Sequence, residues 1–197
     1  MGRPQSFDTT TVVQAARDVF WDRGLDATSL PDLERATGLS RSSLYHAFTS
    51  KRGLFDAAVQ DYLDTVVRPR LRVLTAEPPA PDAVLTYLIG LSAAIAALPA
   101  DSPRRGCLLL ACATGPAGHD DALREVVDAY RRELDDAFRR ALTARYPGLA
   151  EQDLADRARQ MVAHTVTALV LARVDTGSSV ATLGTAVAQV GVWDAVR

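Results

Sequence analysis

From Ser40 to Arg52 the chain places Arg41, Ser42, Ser43, Tyr45, His46, Lys51 and Arg52 without one carboxylate between them. The chain as a whole leans the other way, with 22 basic against 24 acidic residues and a net charge of −2. The basic bias of this stretch is therefore local sorting. An arginine offers a planar fork that matches the two acceptors on a guanine edge, and serine and histidine supply shorter donors. Lys51, the only lysine in the chain, is a point charge suited to a phosphate. A modest overall charge with one basic, hydroxyl-rich segment fits a reader of duplex edges better than a non-specific binder of polyanions.

Such residues read nothing unless a short rod holds them. Thr28-Ser29-Leu30-Pro31-Asp32 opens with a capping box, in which Ser29 accepts from a backbone N–H and Asp32 reaches back. Pro31 falls in the first turn, where its missing N–H costs nothing. Thr37-Gly38-Leu39 makes a tight turn, and Ser40 caps a second short helix from Arg41 to Phe48. The spacing predicts a helix-turn-helix packed through Leu33, Ala36, Leu39, Leu44 and Phe48. An earlier apolar stripe, from Val12 through Val13, Ala16 and Val19 to Phe20, stops at Gly24.

The remainder also reads as helical, since apolar residues recur at three- and four-residue spacing and strand-like alternation is nowhere sustained. A helix starting at Lys51 runs past Pro69 to about Leu74, and the prolines of Pro78-Pro79-Ala80-Pro81 end it. Further helices are expected at about 82–98, 104–115, 120–146, 151–175 and 179–196. No apolar stretch reaches the length a membrane span needs, and the N-terminus has no secretory core, so a cytoplasmic chain without membrane contact is expected. The two cysteines, Cys107 and Cys112, cannot form a disulfide framework, and five helical residues would set them about 140° apart. The three histidines have no metal-site spacing, and neither metal nor cofactor is expected.

Gly24-Leu25-Asp26-Ala27-Thr28-Ser29-Leu30, Gly38-Leu39-Ser40-Arg41-Ser42-Ser43-Leu44-Tyr45-His46-Ala47-Phe48 and Lys51 with Leu54-Phe55 together resemble the DNA-binding domain of the TetR/AcrR family of bacterial transcriptional regulators. The pattern spans residues 2–62; Ser42 stands where the family often has glycine. The resemblance implies an all-α fold, with an N-terminal three-helix helix-turn-helix domain over 1–55. A long helix would join it to a helical ligand-binding and dimerisation domain over 56–197. Arg41, Ser42, Ser43 and His46 would face the major groove, while Tyr45, Thr28, Ser29 and Lys51 would hold phosphates. Gly2-Arg3-Pro4 resembles the family's arm, which puts Arg3 in an adjacent minor groove. Arg52 is expected to be a solvated or intrahelical charge.

One such motif reads few bases, so a homodimer is expected on double-stranded operator DNA, paired through residues 151–196. Leu154, Met161, Val166 and Val170 on one helix and Leu183, Val187 and Val190 on the next give the broad apolar surface this needs. Arg104-Arg105-Gly106-Cys107 and His119-Asp120 resemble an AcrR-like subgroup with Gly-Cys at the start of the sixth helix. Cys107, placed in a first turn beside two arginines, would have a lowered thiol pKa and could answer a thiol-reactive signal. Tyr87, Thr114, Tyr130 and His164 interrupt apolar stretches and are the candidates, with Cys107, to line a site for an unidentified small-molecule effector. The function expected is a ligand-responsive repressor. The alternatives are an all-helical protein-interaction module and an all-α enzyme; no phosphate loop, metalloprotease or nucleophile-elbow motif supports the latter.

Overall fold

The computed structural model describes residues 7–196, and every regular element among them is helical. Helix α1 (Thr9–Ala27) starts where Asp8 accepts from the N–H groups of Thr10 and Thr11. Near its end Gly24 takes φ 77°, a conformation that a side chain would strain, and the helix is interrupted there. Helix α2 (Leu30–Thr37) carries the expected Ser29–Asp32 capping box and ends on Gly38 at φ 70°. Helices α3 (Arg41–Phe48) and α4 (Lys51–Tyr62) are capped by Ser40 and Ser50, which accept from the N–H groups of Ser43 and Gly53.

Phe20 and Phe55 meet edge to face at 5.2 Å, and Leu33, Leu44 and Leu54 close around them. Leu39 and Phe48 pack on this core partly buried, whereas Ala36 is exposed, on the outer side of α2. The first turn of α4 lies so close to the end of α3 that a Cβ at residue 53 would come within 2.2 Å of the Phe48 carbonyl oxygen. Only glycine fits there.

The chain continues from α4 through a π-helical segment (Leu63–Val67) into α5 (Arg68–Thr75). Pro69 explains the change of pitch. It has no N–H for the carbonyl one turn back, and its ring crowds that carbonyl, so the helix widens before it instead of breaking. Then follow α6 (Ala83–Ala96), α7 (Leu108–Ala113), a 3-10 turn (Pro116–His119), α8 (Asp121–Arg145), α9 (Glu151–Leu171) and α10 (Thr176–Ala195). Helix α5 lies on α6 and α8, α9 on α8, and α10 on both α6 and α9, while α1 also packs against α7. One apolar core runs through the described residues. None of their helices is long and apolar enough to cross a membrane.

The helix expected over 104–115 is much shorter than its apolar pattern implies. Gly106 has φ 74°, and a Cβ on it would meet the Leu169 carbonyl oxygen and Arg173 Cγ, each at 2.7 Å. Cys107 is extended, so α7 begins only at Leu108. Substituting Gly53 with alanine is expected to cost about 1–3 kcal/mol, the usual range for forcing atoms into a packed contact. Gly90→Ala, on an open face of α6 with nothing within 4 Å, should instead gain up to about 1 kcal/mol of helix propensity. Thermal unfolding of the two variants checks this; equal effects would contradict the close approach.

Candidate nucleic-acid interface

Leu44 is the one fully buried side chain of α3. Around it Arg41, Ser42 and His46 are exposed and Ser43 and Tyr45 half-buried, so one face of the rod is anchored and the other is turned outward. The Arg41 guanidinium stacks over the Tyr45 ring at 5.3 Å, which limits the wandering of a long side chain. Ser40 Oγ lies 2.9 Å from Ser42 Oγ and 3.1 Å from Ser43 Oγ, linking the hydroxyls of the first turn. The Arg41 N–H donates to Glu34 Oε1 at 2.6 Å. This bond ties α2 to the start of α3, a role the sequence pattern did not reveal. Lys51, half-buried, occupies the first position of α4 behind the Ser50 cap.

Ser29 is exposed, and its hydroxyl donates to Asp32 Oδ2 at 2.5 Å; that bond holds the Asp32 carboxyl well below its ordinary range. Thr28 departs from expectation. It is 1% exposed and donates its hydroxyl to the Gly24 carbonyl at 2.6 Å, closing α1 rather than facing a phosphate. Arg3 lies outside the described residues.

The motif is joined to the rest of the molecule by charged contacts that the sequence reading did not foresee. Arg52 makes the expected intrahelical pair, with Asp56, and a further one outside its helix. It grips Asp120 at the start of α8 through two bonds of 2.5 and 3.0 Å and also bonds Asp56 at 2.7 Å. The Arg52 guanidinium, with the Leu123 N–H, holds the Asp120 carboxyl down at about 2. Asp26 accepts from the Ala117 N–H at 2.9 Å, and Asp18 receives Arg104 at 2.7 Å. Arg173 donates to the carbonyls of Trp21 and Asp22, fixing the end of α9 to α1.

Among the expected effector residues, Tyr87, Cys107 and Tyr130 come together. Tyr87 and Tyr130, with Tyr62 and the previously unsuspected Arg70, line a cavity of about 20 Å³, room for roughly one water. The Cys107 thiol sits against the Tyr62 and Tyr130 phenols, 1% exposed. Its pKa is raised by burial, opposite to the expected lowering, because Arg104 turns to Asp18 while Arg105 turns to the Ala100 carbonyl and Thr176. Thr114 is exposed and donates to the Leu110 carbonyl, and His164 is half-buried on α9; neither lines this cavity. No group of three or more His, Cys, Asp or Glu suited to a metal ion occurs among the described residues.

Comparison with known proteins decides which fold family this geometry belongs to. Residues 12–58 match the model of "Bacterial regulatory proteins, tetR family". The uncharacterized HTH-type transcriptional regulator YezE of Bacillus subtilis (strain 168) is 31% identical over 138 residues, covering 70% of each chain. The chain belongs to the TetR family. It is 27% identical to the HTH-type transcriptional repressor BdcR of Escherichia coli (strain K12) over 150 residues, 76% of this chain and 73% of BdcR. The TetR family regulator CifR, solved as a cysteine mutant with 26-base-pair operator DNA, superposes with a TM-score of 0.79 at 33% identity. That match covers 94% of this chain and 98% of CifR. These relatives are transcriptional regulators, not enzymes, and this TetR-family chain is a helix-turn-helix regulator of the same all-helical build.

The depressed Asp120 carboxyl gives a pH signature. Its stabilising contribution is present above the ordinary carboxylate value of 3.8 and is lost as pH falls through about 2. The stability gap between the wild-type chain and Asp120→Asn, which keeps an oxygen for the Leu123 N–H, should therefore shrink as pH falls from about 5 to 2. A gap that stays constant across that range in thermal unfolding would contradict the contact.

Proposed function

We propose that this TetR-family chain is a cytoplasmic, effector-released repressor that grips its operator as a homodimer. Residues 1–55 form the DNA reader and 56–197 the effector and dimer domain. The observation that carries the reading is the outward face of α3: Arg41, Ser42 and His46 exposed, Arg41 steadied on Tyr45, and no carboxylate on the helix. In the major groove Arg41 contacts a guanine with both nitrogens, and Ser42, Ser43 and His46 contact neighbouring base edges. The Tyr45 hydroxyl, Ser29 and Lys51 hold phosphates on either side, and Arg3 reaches the adjacent minor groove. CifR supports this placement, as a relative of similar fold that was solved on operator DNA.

Two copies pair through residues 151–196. The inner stripe of that region, with Leu154, Met161, Leu183 and Val190, is buried within the chain and serves its own core. The outer stripe, with Val170 and Val192 exposed and Gly184 and Gly191 open to close approach, is the pairing face. The Gly106-Cys107 step and the His119-Asp120 pair support reading the chain as a member of the AcrR-like subgroup.

An effector entering between the α5, α6 and α8 helices shifts the continuous Lys51–Thr75 helix, whose far end carries Lys51 and Arg52. The Arg52–Asp120 contact passes the shift to the reader. A differential affinity of about 1–3 kcal/mol between the two dimer geometries changes operator binding about 5–150-fold. The buried, protonated Cys107 favours an effector that binds over one that reacts with the thiol.

Arg41→Ala is expected to lose about 1–3 kcal/mol of discrimination at one base position in each half-site. Lys51→Ala should weaken all sequences alike and lower the salt slope by about one unit. Binding titrations on operator and single-base variants over a range of salt separate the two, and unchanged binding by both variants would refute the assigned roles.

A further inference from the structure

Arg70, like Arg72 two residues further on, is a cation of α5 with no counter-charge among the described residues, but only Arg70 lines a cavity. Arg68, two residues earlier, pairs with Asp64 and Glu133, whereas no carboxylate among the described residues lies in ion-pair range of Arg70. Arg70 borders two adjoining spaces: the tyrosine-lined cavity and an open groove of about 330 Å³ between α5 and α6. Tyr87 and Leu91 border both as well, so the two spaces meet at these three residues. No acidic side chain lines either one.

The second observation is Tyr87 itself. The side chain is 7% exposed, and its ring is fixed edge to face on Phe138 at 5.3 Å. Burial pushes its phenol up and the Arg70 charge pulls it down, so the hydroxyl stays protonated and faces the field of that guanidinium. No described residue hydrogen-bonds this hydroxyl. Tyr62 and Tyr130 differ, because each meets the Cys107 thiol. A rigid, unused donor and an unused guanidinium thus flank one opening, and apart from the Tyr62 and Tyr130 phenols the remaining walls are the aliphatic side chains of Val66, Val67, Leu71, Leu91 and Leu169.

We propose that this opening takes a monocarboxylate with an apolar body, its head on Arg70 and Tyr87 and its tail between α5 and α6. One guanidinium and one phenol match the single charge and two oxygens of a carboxylate; a dianionic phosphate would leave half its charge unmet. Gly90, with nothing within 4 Å of an added Cβ, keeps the groove floor open for the tail. The cavity as it stands holds about one water, so the tail must part α5 from α6 beside the widened π-helical turn, whose Val66 and Val67 line it. This inference rests on the reading of the cavity as the effector site, and names the chemistry of that effector.

Calorimetric titration of the full chain with hexanoate, octanoate and decanoate, beside the alcohols of equal length, tests it without DNA. The carboxylates should bind the wild-type chain more tightly than the alcohols. Arg70→Gln, at an exposed position, should raise the carboxylate Kd about tenfold or more and leave the alcohols within about twofold. Gly90→Leu, which fills the groove, should weaken both series together. Failure of all three carboxylates to bind the wild-type chain, or equal loss of acids and alcohols in Arg70→Gln, overturns the proposal. Carboxylate binding by a chain that recognises no operator would support this inference and remove the repressor reading, so the two fail separately.

Discussion

The close approach of α4 to the last carbonyl of α3 is the constraint on which the rest of the molecule depends. Glycine at residue 53 lets the two helices meet where any side chain would intrude on the Phe48 carbonyl oxygen. That contact fixes α3, whose outer face carries the proposed base-reading groups, relative to the long helix that begins at Lys51. The edge-to-face pair of Phe20 and Phe55 ties α1 to the same long helix. A rigid joint matters because a reader displaced by a fraction of an ångström loses the bidentate geometry that gives an arginine its specificity.

The same helix is the link between the two halves of the molecule. Its first turn carries Lys51 and sends Arg52 to Asp120, and its second half walls the tyrosine cavity. The π-helical turn between them, imposed by Pro69, is a place where pitch changes at modest cost. The ion pairs from Asp18 to Arg104 and from Arg52 to Asp120 are partly solvated, so each is weak and can be exchanged for another arrangement. Weak, replaceable contacts around a stiff lever suit the proposed exchange between two geometries of similar energy.

Much of this was legible in the sequence, and what was missed has physical causes. Ser29 with Asp32, Gly24, Gly38 and Ser40 mark helix ends by local chemistry, and local chemistry is visible in a string of letters. The helix over 104–115 was overestimated because Gly106 owes its conformation to the neighbouring end of α9, a contact no local pattern encodes. That error also misplaced Cys107, which lies at the cap of α7 with its arginines engaged elsewhere. Thr28 was misread because hydroxyls at a helix junction serve either neighbour, and here burial decides for Gly24. Arg52 and Arg70 carry no signal of their own. Each is one arginine among many on a polar face, and only the folded chain sets one on Asp120 and the other among Tyr62, Tyr87 and Tyr130.

The central claim is that α3 enters a major groove, twice, from a paired chain. Dimethyl sulfate probing of guanine N7 on the promoter fragment beside the protein's own coding region tests this directly, since N7 lies on the major-groove edge. The account predicts protection of guanines in two symmetry-related half-sites on the same face of the duplex. Binding to that fragment with every guanine N7 still reactive, or with protection confined to a single half-site, would contradict it.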